Sequence, residues 1–337
     1  AHTLPDYGIE TTFVDPFDYE GIEAAIKENT TAIEIETLGN PNSEVVDIER
    51  IANIAHSHNI PLIVDEAHGA HLPFMPKRNL SAVAAGADLV IQSTHKTLPS
   101  LTQTALLHVN RKELVPKVER YLHIFQTSSP SYLFTQSMEK AVVYAGNHPE
   151  VFDAYRKRLK HFRKKCKELR HIRLLQPKQT CYAYDKGKLV FTVSGVHPAE
   201  PGTDSRNDIP ATGPWLAHVL AAEYQQVVEM AGTHHVILMT SFADKKKAFE
   251  HLYEILKHID SELTEAADKA GRNADQMNHA DSMSVLPDME NAVLCSTGFH
   301  LPEQVMTPGA AWRLDSSGEK LAEAEGSIAA DYVYAYP

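Results

Sequence analysis

The chain has 337 residues, of which 43% are hydrophobic and 23% charged, and it carries a formal net charge of −12. This length suggests roughly two globular domains, and the acidic charge argues against a nucleic-acid partner. No stretch approaches the roughly 18–20 consecutive apolar residues of a membrane span, so no membrane partner is expected either.

The first part of the chain alternates between the hydrophobic periods of strands and helices. Asp18 is expected to cap the first helix, and the continuous apolar run that ends at Asp65 is typical of a strand inside a parallel sheet. Regular alternation of strand and helix predicts a doubly wound α/β sheet. The predicted elements are strands at 10–15, 31–37, 60–65, 88–94 and 103–109, and helices at 18–29, 47–59 and 79–87.

The chain becomes mostly helical after residue 110 and then turns to an α+β pattern. The basic stretch 155–170 has apolar residues at helical spacing, which favours a surface helix with a solvated basic face over a nucleic-acid site. We therefore predict a large domain over 1–165 and a smaller α+β domain over 166–337. The predicted elements of the smaller domain are strands at 188–195 and 234–242, helices at 213–224 and 245–260, and a loose polar segment at 261–285.

The cysteines indicate the redox compartment. Cys166, Cys181 and Cys295 are few, odd in number and far apart. Without a CxxC pair they predict neither a disulfide framework nor a structural zinc site. The N-terminal residues also lack the basic-then-apolar pattern of a secretion signal. A protein of the reducing cytoplasm is expected.

An acidic pair, Asp65 and Glu66, ends the apolar strand and begins the sequence DEAHGAHLPF. One interpretation is the acidic box of an NTPase, which would hold Mg²⁺ and activate water. Such an enzyme also needs a G-x-x-x-x-G-K-[ST] phosphate loop. The Gly187-Lys188 pair in YDKGKLVF lacks that motif. The NTPase interpretation is therefore not favoured.

A metal site is the second interpretation. His68 and His71 are three residues apart, and such side chains can ligate metal ions. Asp65 and Glu66 lie nearby and could supply further ligands. The stretch leaves a strand and contains Gly69 and Pro73, so a regular helical face carrying both histidines is not expected. Local hydrogen bonding of the histidines in a loop is favoured, and no metal is predicted.

The third interpretation uses STHKTL, which places Lys96 at the C-terminal end of the next predicted strand. Ligands of open α/β sheets bind outside the carboxyl ends of the strands, so Asp65 and Lys96 are expected at one edge. A lysine there suits a Schiff base with pyridoxal 5′-phosphate (PLP), and a buried carboxylate suits its protonated pyridine nitrogen. Ser93, Thr94 and His95 are donors that could reach the phosphate.

Longer motifs carry a family resemblance. PLIVDEAHGAHLPF, GADLVIQSTHKTLPSLTQTALLHV and SSPSYLF resemble the Orn/Lys/Arg decarboxylases, which are PLP enzymes of fold type I (aspartate-aminotransferase-like). The stretch MTPGAAWRLDSSGEKLAEAEGSIAADYVYAYP is similar to the same family. The resemblance implies a PLP-binding large domain, a smaller α+β domain, and decarboxylation of arginine, lysine or ornithine to a polyamine-pathway amine.

The resemblance also implies roles for single residues. Lys96 would bind the cofactor aldehyde, Asp65 would pair with the pyridine nitrogen, and His68 would lie near the cofactor and take part in catalysis. Ala67 would pack against the face of the ring.

Contacts to the cofactor phosphate and to a second subunit are implied in the same way. Ser93 and His95 would contact the phosphate. Ser128 would approach the cofactor of a neighbouring subunit, so the resemblance implies a homodimer or a higher homo-oligomer.

Residues 7–65 resemble a different group, the O-acetylhomoserine sulfhydrylases and their relatives in Cys/Met metabolism. These are also fold type I PLP enzymes, so the predicted fold is unchanged, while C–S chemistry stays open beside decarboxylation. Both groups place roughly a hundred residues before this point, including a phosphate-binding loop at a helix N-terminus. The resemblance therefore implies an N-terminally incomplete chain, and a catalytically incomplete fragment is a further alternative.

Overall fold

The computed structural model describes residues 4–39, 41, 43–76, 79–176, 181–197 and 209–269, which belong to one compact unit, Ala1–Cys295. The decarboxylase-like stretch at 306–337 and Cys295 lie outside the described residues. The helices are α1 Tyr19–Ala25, α2 Ile48–Ser57, α3 Thr94–Thr97, α4 Val115–Phe125, α5 Tyr132–Asn147, α6 Pro149–Lys165, α7 Gly213–Tyr224 and α8 Lys246–Lys269. The strands are β1 Ile33–Glu36, β2 Glu44–Val45, β3 Leu62–Asp65, β4 Leu89–Ser93, β5 Ala105–Val109, β6 Ile172–Leu174, β7 Ala183–Tyr184, β8 Lys188–Val193, β9 Val196–His197, β10 Ile209–Pro210, β11 Met230–Gly232 and β12 His235–Met239.

The first sheet has the strand order β1-β3-β4-β5. β1, β3 and β4 run parallel, and β5 is antiparallel to β4. The register sets Glu36 beside Asp65 and Asp65 beside Ile91, so the carboxyl ends of the three parallel strands meet at one edge. The predicted α/β fold class is confirmed, with an antiparallel strand added at the edge of the sheet.

Helix α2 packs its apolar side against this sheet. Asp47 caps the helix by accepting a hydrogen bond from Arg50 N at 3.2 Å. Ile51 and Ala55 are fully buried and share a core cluster with Leu62 and Val64 of β3. Burial of each such side chain is worth about 1.5–3 kcal/mol for the larger aliphatic residues, so the strand that carries Asp65 has a rigid support.

The second sheet is antiparallel, with the order β11-β12-β8-β6. Helices α6, α7 and α8 contribute the side chains of its core, including Phe162, Leu216 and Leu256. Strand β8 is buried over its whole length. A short ladder of β2 with β7 connects this half to the segment after β1. The predicted domain boundary at 165/166 stays a prediction.

Three predicted elements are wrong. Residues 10–15 form no strand and lie largely exposed, because strand-forming residues need a partner strand. Residues 82–86 form turns rather than a helix: Gly86 has φ +90°, and the Ala82 N–H is hydrogen-bonded to Glu66. Residues 261–269, expected in a loose segment, continue α8. None of the described helices is long and apolar enough to cross a membrane.

Asp260 in α8 fixes the start of β6. Its buried carboxylate accepts hydrogen bonds from the backbone N–H groups of Arg170, His171 and Ile172 at 2.7–3.1 Å. Because the Asp260→Ala substitution leaves buried donors unpaired, we expect it to lower the free energy of unfolding by about 2–4 kcal/mol. Urea denaturation measures this loss, with exposed Asp268→Ala as the control; equal losses in both variants would contradict the assignment.

Candidate functional site

The two acidic residues at the end of β3 lie in different environments. Asp65 is half-buried at the strand end, and its Oδ1 accepts a hydrogen bond from Ala67 N at 2.8 Å. Glu66, the next residue, is fully buried. Successive side chains of an extended chain point to opposite faces, so one carboxylate is available at the sheet edge and the other is not.

Glu66 is the centre of a buried hydrogen-bond network. Its Oε1 accepts from Ser81 Oγ at 2.9 Å and Gln92 Nε2 at 2.6 Å. Its Oε2 accepts from Thr37 Oγ1 at 2.9 Å and Ala82 N at 2.6 Å. Burial raises the pKa of Glu66, although all four hydrogen bonds act to lower it. The network ties together the ends of β1, β3 and β4, which gives Glu66 a structural role.

Lys96 lies in α3, which begins directly after β4. It is half-buried, and its Nζ is 3.4 Å from Nε2 of His68. The structure therefore brings Lys96 and His68 together, and it places Asp65 at the end of β3, the strand next to the one that precedes Lys96.

His68 is neutral in this environment. Burial, followed by the positive charges of Lys188 and Lys96, lowers the pKa of His68 to about 3. When Nε2 of a neutral imidazole accepts a hydrogen bond from the Lys96 ammonium, the ring proton resides on Nδ1. That buried Nδ1 has no hydrogen-bond partner among the described residues. The site thus has an unpaired donor beside its lysine.

Two charged residues at the start of β8 and in the turn before it also lie in this region, and sequence reasoning missed them. Asp185, in the turn between β7 and β8, lies 3.4 Å from His71 through Oδ2 and Nε2, and both side chains are buried. Lys188 of β8 is fully buried, and its Nζ donates to Gly39 O at 3.2 Å. The Gly187-Lys188 pair was the one feature of the sequence that drew attention to Lys188. It did not indicate that Lys188 is buried against the loop after β1.

The polar side chains around Lys96 differ in whether they already have hydrogen-bond partners. The hydroxyl of Ser93 has no hydrogen-bond partner within the described ranges, whereas buried Thr94 is bonded to Thr104 Oγ1 at 2.8 Å. Nδ1 of His95 lies 2.9 Å from Thr104 O, so Nδ1 is the donor and Nε2 is left for another partner. The predicted phosphate contacts of Ser93 and His95 stay predictions.

Two predicted site residues make few contacts here. Ala67 is half-buried directly after Asp65, where its backbone N–H holds the carboxylate. Ser128 lies in the exposed turn between α4 and α5, and in the described parts of the chain it forms no hydrogen bond with Lys96 or Asp65. Its contact with a second subunit stays a prediction.

The histidines do not form a metal centre with their neighbours. Across the described ranges, no group of three or more His, Cys, Asp or Glu side chains is arranged to hold a metal ion. A cavity of about 290 Å³ lies beside the Glu66 network and is lined by Ser81, Gln92 and Thr94, but not by Asp65 or Lys96.

Comparison with known proteins gives two groups of relatives. Residues 1–155 match the family model of Cys/Met metabolism PLP-dependent enzymes. An L-methionine gamma-lyase of Fusobacterium nucleatum is 36% identical over 119 residues, which cover 35% of this chain and 29% of that protein.

The second group consists of decarboxylases. An arginine decarboxylase of Bacillus subtilis is 27% identical over 298 residues, covering 86% of this chain and 54% of that protein. The structure of the constitutive lysine decarboxylase of E. coli superposes with a TM-score of 0.57 at 20% identity, covering 86% of this chain and 47% of that one. The chain thus spans about half the length of the decarboxylases that it matches.

The family model that matches residues 1–155 describes PLP-dependent enzymes, and the residues at the candidate site fit this cofactor. Lys96 offers a half-buried amine, Asp65 offers a carboxylate at the end of the neighbouring strand, and His68 offers an unpaired buried donor. These are the group types that an aldehyde, a pyridinium nitrogen and a polar ring substituent require. The chain is thus similar to PLP-dependent enzymes of Cys/Met metabolism over residues 1–155 and to decarboxylases over most of its length, and its structure shares the fold of the lysine decarboxylase.

Proposed function

We propose that this protein is a PLP-dependent decarboxylase of a basic amino acid, namely arginine, lysine or ornithine, and forms the corresponding polyamine-pathway amine. The placement of Asp65 and Lys96 after neighbouring parallel strands supports the PLP site that the proposal requires, and the matches to decarboxylases carry the choice of reaction. Matches to proteins named arginine decarboxylase cover 86–94% of the chain, so the support for decarboxylation comes from both halves of the chain.

The roles of the three residues follow from their positions. When bound, PLP supplies an electron sink that stabilises the carbanion left by loss of CO₂. Lys96 would hold the cofactor through Nζ and give way to the substrate amine. The carboxylate of Asp65 would keep the pyridine nitrogen protonated, because an adjacent negative charge favours the cationic form.

Lys96 is also the better proton donor of the pair at this edge. With a pKa of about 3, His68 binds protons too weakly to act as the acid near neutral pH. Its Nε2, 3.4 Å from Lys96 Nζ, instead accepts a hydrogen bond that fixes the lysine amine. Return of a proton to the substrate Cα is therefore assigned to Lys96 Nζ.

C–S chemistry on a homoserine ester is the second candidate. It is favoured by the Cys/Met metabolism model over residues 1–155 and by the methionine gamma-lyase match. The two candidates share Lys96 and Asp65, so they differ in substrate and not in the position of the cofactor.

Two parallel assays separate these candidates. The purified protein is supplied with PLP and tested for CO₂ release from arginine, lysine and ornithine, and for sulfide-dependent homocysteine formation from O-acetylhomoserine. Release of CO₂ from one basic amino acid supports the proposal. Homocysteine formation without CO₂ release would replace it with the C–S reaction, and inactivity in both assays would favour a catalytically incomplete chain.

A second copy of the chain is the proposed partner. Helices α4 and α5 expose large apolar side chains on either side of the turn that joins them, and clustered exposed apolar residues mark interaction sites. Phe125 is 84% exposed and Tyr132 86% exposed. The exposed apolar residues of this surface are Tyr121, Leu122, Ile124, Phe125, Tyr132 and Leu133. Ser128 lies in the same turn.

Charge placed in this surface should weaken self-association. We expect the Phe125→Asp substitution to raise the dimer dissociation constant at least about tenfold, because a buried aromatic anchor is replaced by a carboxylate. Sedimentation velocity measures the change. The neighbouring exposed Gln126→Asp introduces the same charge as a control, and equal effects of the two variants would contradict an apolar interface at Phe125.

The protein is proposed to be cytoplasmic. The sparse cysteines favour a reducing compartment, and the buried Cys166 carries a free thiol.

A further inference from the structure

Three hydroxyl groups meet at the start of the short helix that carries Lys96. Thr94 is the first residue of α3, and its Oγ1 lies 2.8 Å from Thr104 Oγ1. Ser100 Oγ lies 2.9 Å from Thr94 Oγ1 and 2.5 Å from Thr104 Oγ1. Thr94 and Thr104 are buried, and Ser100 is half-buried. The three side chains form a closed triangle between the end of β4 and the residue before β5.

The hydroxyl protons of this triangle can all be assigned to acceptors. Thr104 Oγ1 donates to Leu101 O at 2.7 Å, and a hydroxyl has only one proton to donate. Thr104 Oγ1 therefore accepts from the triangle, and the distances allow Thr94 to donate to Thr104 while Ser100 donates to Thr94. Every hydroxyl then donates once, and a fully satisfied buried network of this kind is rigid.

The backbone carbonyl of Thr104 holds the same helix a second time. It accepts from Thr94 N at 3.1 Å and lies 2.9 Å from Nδ1 of His95. A carbonyl oxygen can only accept, so Nδ1 of His95 carries the ring proton and Nε2 carries the lone pair. Both residues that directly precede Lys96 are thus bonded to Thr104.

The loop before Thr104 is held in an unfavourable backbone conformation. Gln103 is exposed and has φ +74°, in the left-handed region that non-glycine residues rarely adopt. Such a conformation persists where the surrounding contacts determine it. Those contacts are the Thr104 hydroxyl on Leu101 O and the Ser137 Oγ that accepts from Leu101 N at 3.2 Å. The loop is therefore shaped by the contacts that place Thr104 against α3.

We propose that Thr104 is a positioning residue of the site, which holds the turn that carries Lys96 and fixes His95 with its lone pair on Nε2. The consequence for cofactor attachment rests on the proposed function. Lys96 lies two residues after Thr94 in a helix of only four residues. A shift of Thr94 would therefore move Lys96 Nζ from its position 3.4 Å from His68 Nε2.

The first test removes the Thr104 hydroxyl and observes the ring of His95. Thr104→Val keeps the shape of the side chain, and Thr102→Val makes the same change at an exposed position in the same loop. NMR of ¹⁵N-labelled imidazole groups at about pH 8, where an ordinary histidine is neutral, distinguishes the two tautomers. Wild type, Thr102→Val and the hydroxyl-retaining Thr104→Ser should show the Nδ1–H form of His95. Thr104→Val should show a mixture of both forms.

Two results would overturn the proposal. One is an Nε2–H form of His95 in the wild-type protein, which needs no variant to detect. The other is a pure Nδ1–H form in Thr104→Val that circular dichroism shows to be folded. Ser100→Ala removes another hydroxyl of the triangle and replaces Thr104→Val if that variant does not fold. It should give the same mixture of tautomers, and a pure Nδ1–H form in it would count equally against the proposal.

A second readout connects Thr104 to Lys96. The rate of covalent PLP attachment should be lower in Thr104→Val than in Thr102→Val by roughly tenfold, because small misplacements of a reacting group have large effects on rate. Equal rates in these two variants would contradict a positioning role toward Lys96. Absence of attachment in wild type would refute the proposed function, whereas the His95 tautomer would still decide the role of Thr104. The two failures are therefore distinguishable.

Discussion

The Lys96→Ala variant should lose covalent PLP binding completely. The wild-type protein should develop the visible absorbance of a PLP–lysine adduct, and the variant should show only the spectrum of free cofactor. Lys96 supplies the amine at the end of β4 beside His68, so its removal leaves no amine in that position. Turnover should fall on the order of a thousandfold or more.

Exposed Lys112→Ala is the matched control for this result and should retain both absorbance and turnover. Circular dichroism checks that Lys96→Ala is folded. An adduct spectrum of wild-type intensity in folded Lys96→Ala would show that another lysine binds the cofactor.

The Glu66→Ala variant should show the largest loss of stability in the first sheet. It removes a fully buried carboxylate and leaves four donors, from Thr37, Ser81, Ala82 and Gln92, without their acceptor. Such losses cost about 3–5 kcal/mol. Glu66→Gln keeps one oxygen and should lose about 1–3 kcal/mol. Chemical denaturation measures both changes.

The stability difference between wild type and Glu66→Gln should change with pH in a defined direction. Burial raises the pKa of Glu66 in the folded state above its ordinary value. The folded protein then binds the proton more tightly than the unfolded chain, so the contribution of Glu66 to stability grows as pH falls through the folded pKa. The stability advantage of wild type over non-titrating Glu66→Gln should therefore increase from neutral toward mildly acidic pH.

Glu34, exposed on β1, provides the control for Glu66. Glu34→Ala should change the free energy of unfolding by less than about 0.5 kcal/mol. If Glu66→Ala lowered the free energy of unfolding as little as Glu34→Ala, the structural role of the network would be contradicted. If the stability difference between wild type and Glu66→Gln became smaller at acidic pH, the raised pKa of Glu66 would be contradicted.

Local patterns were sufficient for the elements that position the site. The apolar run before Asp65 predicted β3, and the run before Ser93 predicted β4. Ends of parallel strands share an edge, so Asp65 and Lys96 could be placed together from spacing alone. Alternation of side chains across a strand explains why Glu66, one residue later, lies in the core.

The contribution of the second sheet could not be read in this way. Asp185 and Lys188 contact His71 and Gly39 across long stretches of chain, and no local period records such a contact. A lysine in a strand pattern indicates an exposed side chain on average, whereas Lys188 is fully buried. Its location depends on tertiary packing of β8 and on the β2–β7 ladder.

The wrong elements have the same cause. The alanine-rich segment 79–87 has helical propensity, but Ala82 N and Ser81 Oγ are bonded to Glu66 and Gly86 takes a positive φ. Tertiary hydrogen bonds thus override local preference. Residues 10–15 have strand-forming side chains but no strand beside them in the described structure.

The central claim, that Lys96 is the cofactor lysine of a fold type I PLP site, is tested most directly by trapping. PLP is added to the purified protein, the adduct is reduced with borohydride, and the labelled peptide is identified by mass spectrometry. We predict a single reduced adduct on Lys96, accompanied by a visible absorbance band before reduction. A label on another lysine, or no stable label at saturating PLP, would contradict the claim.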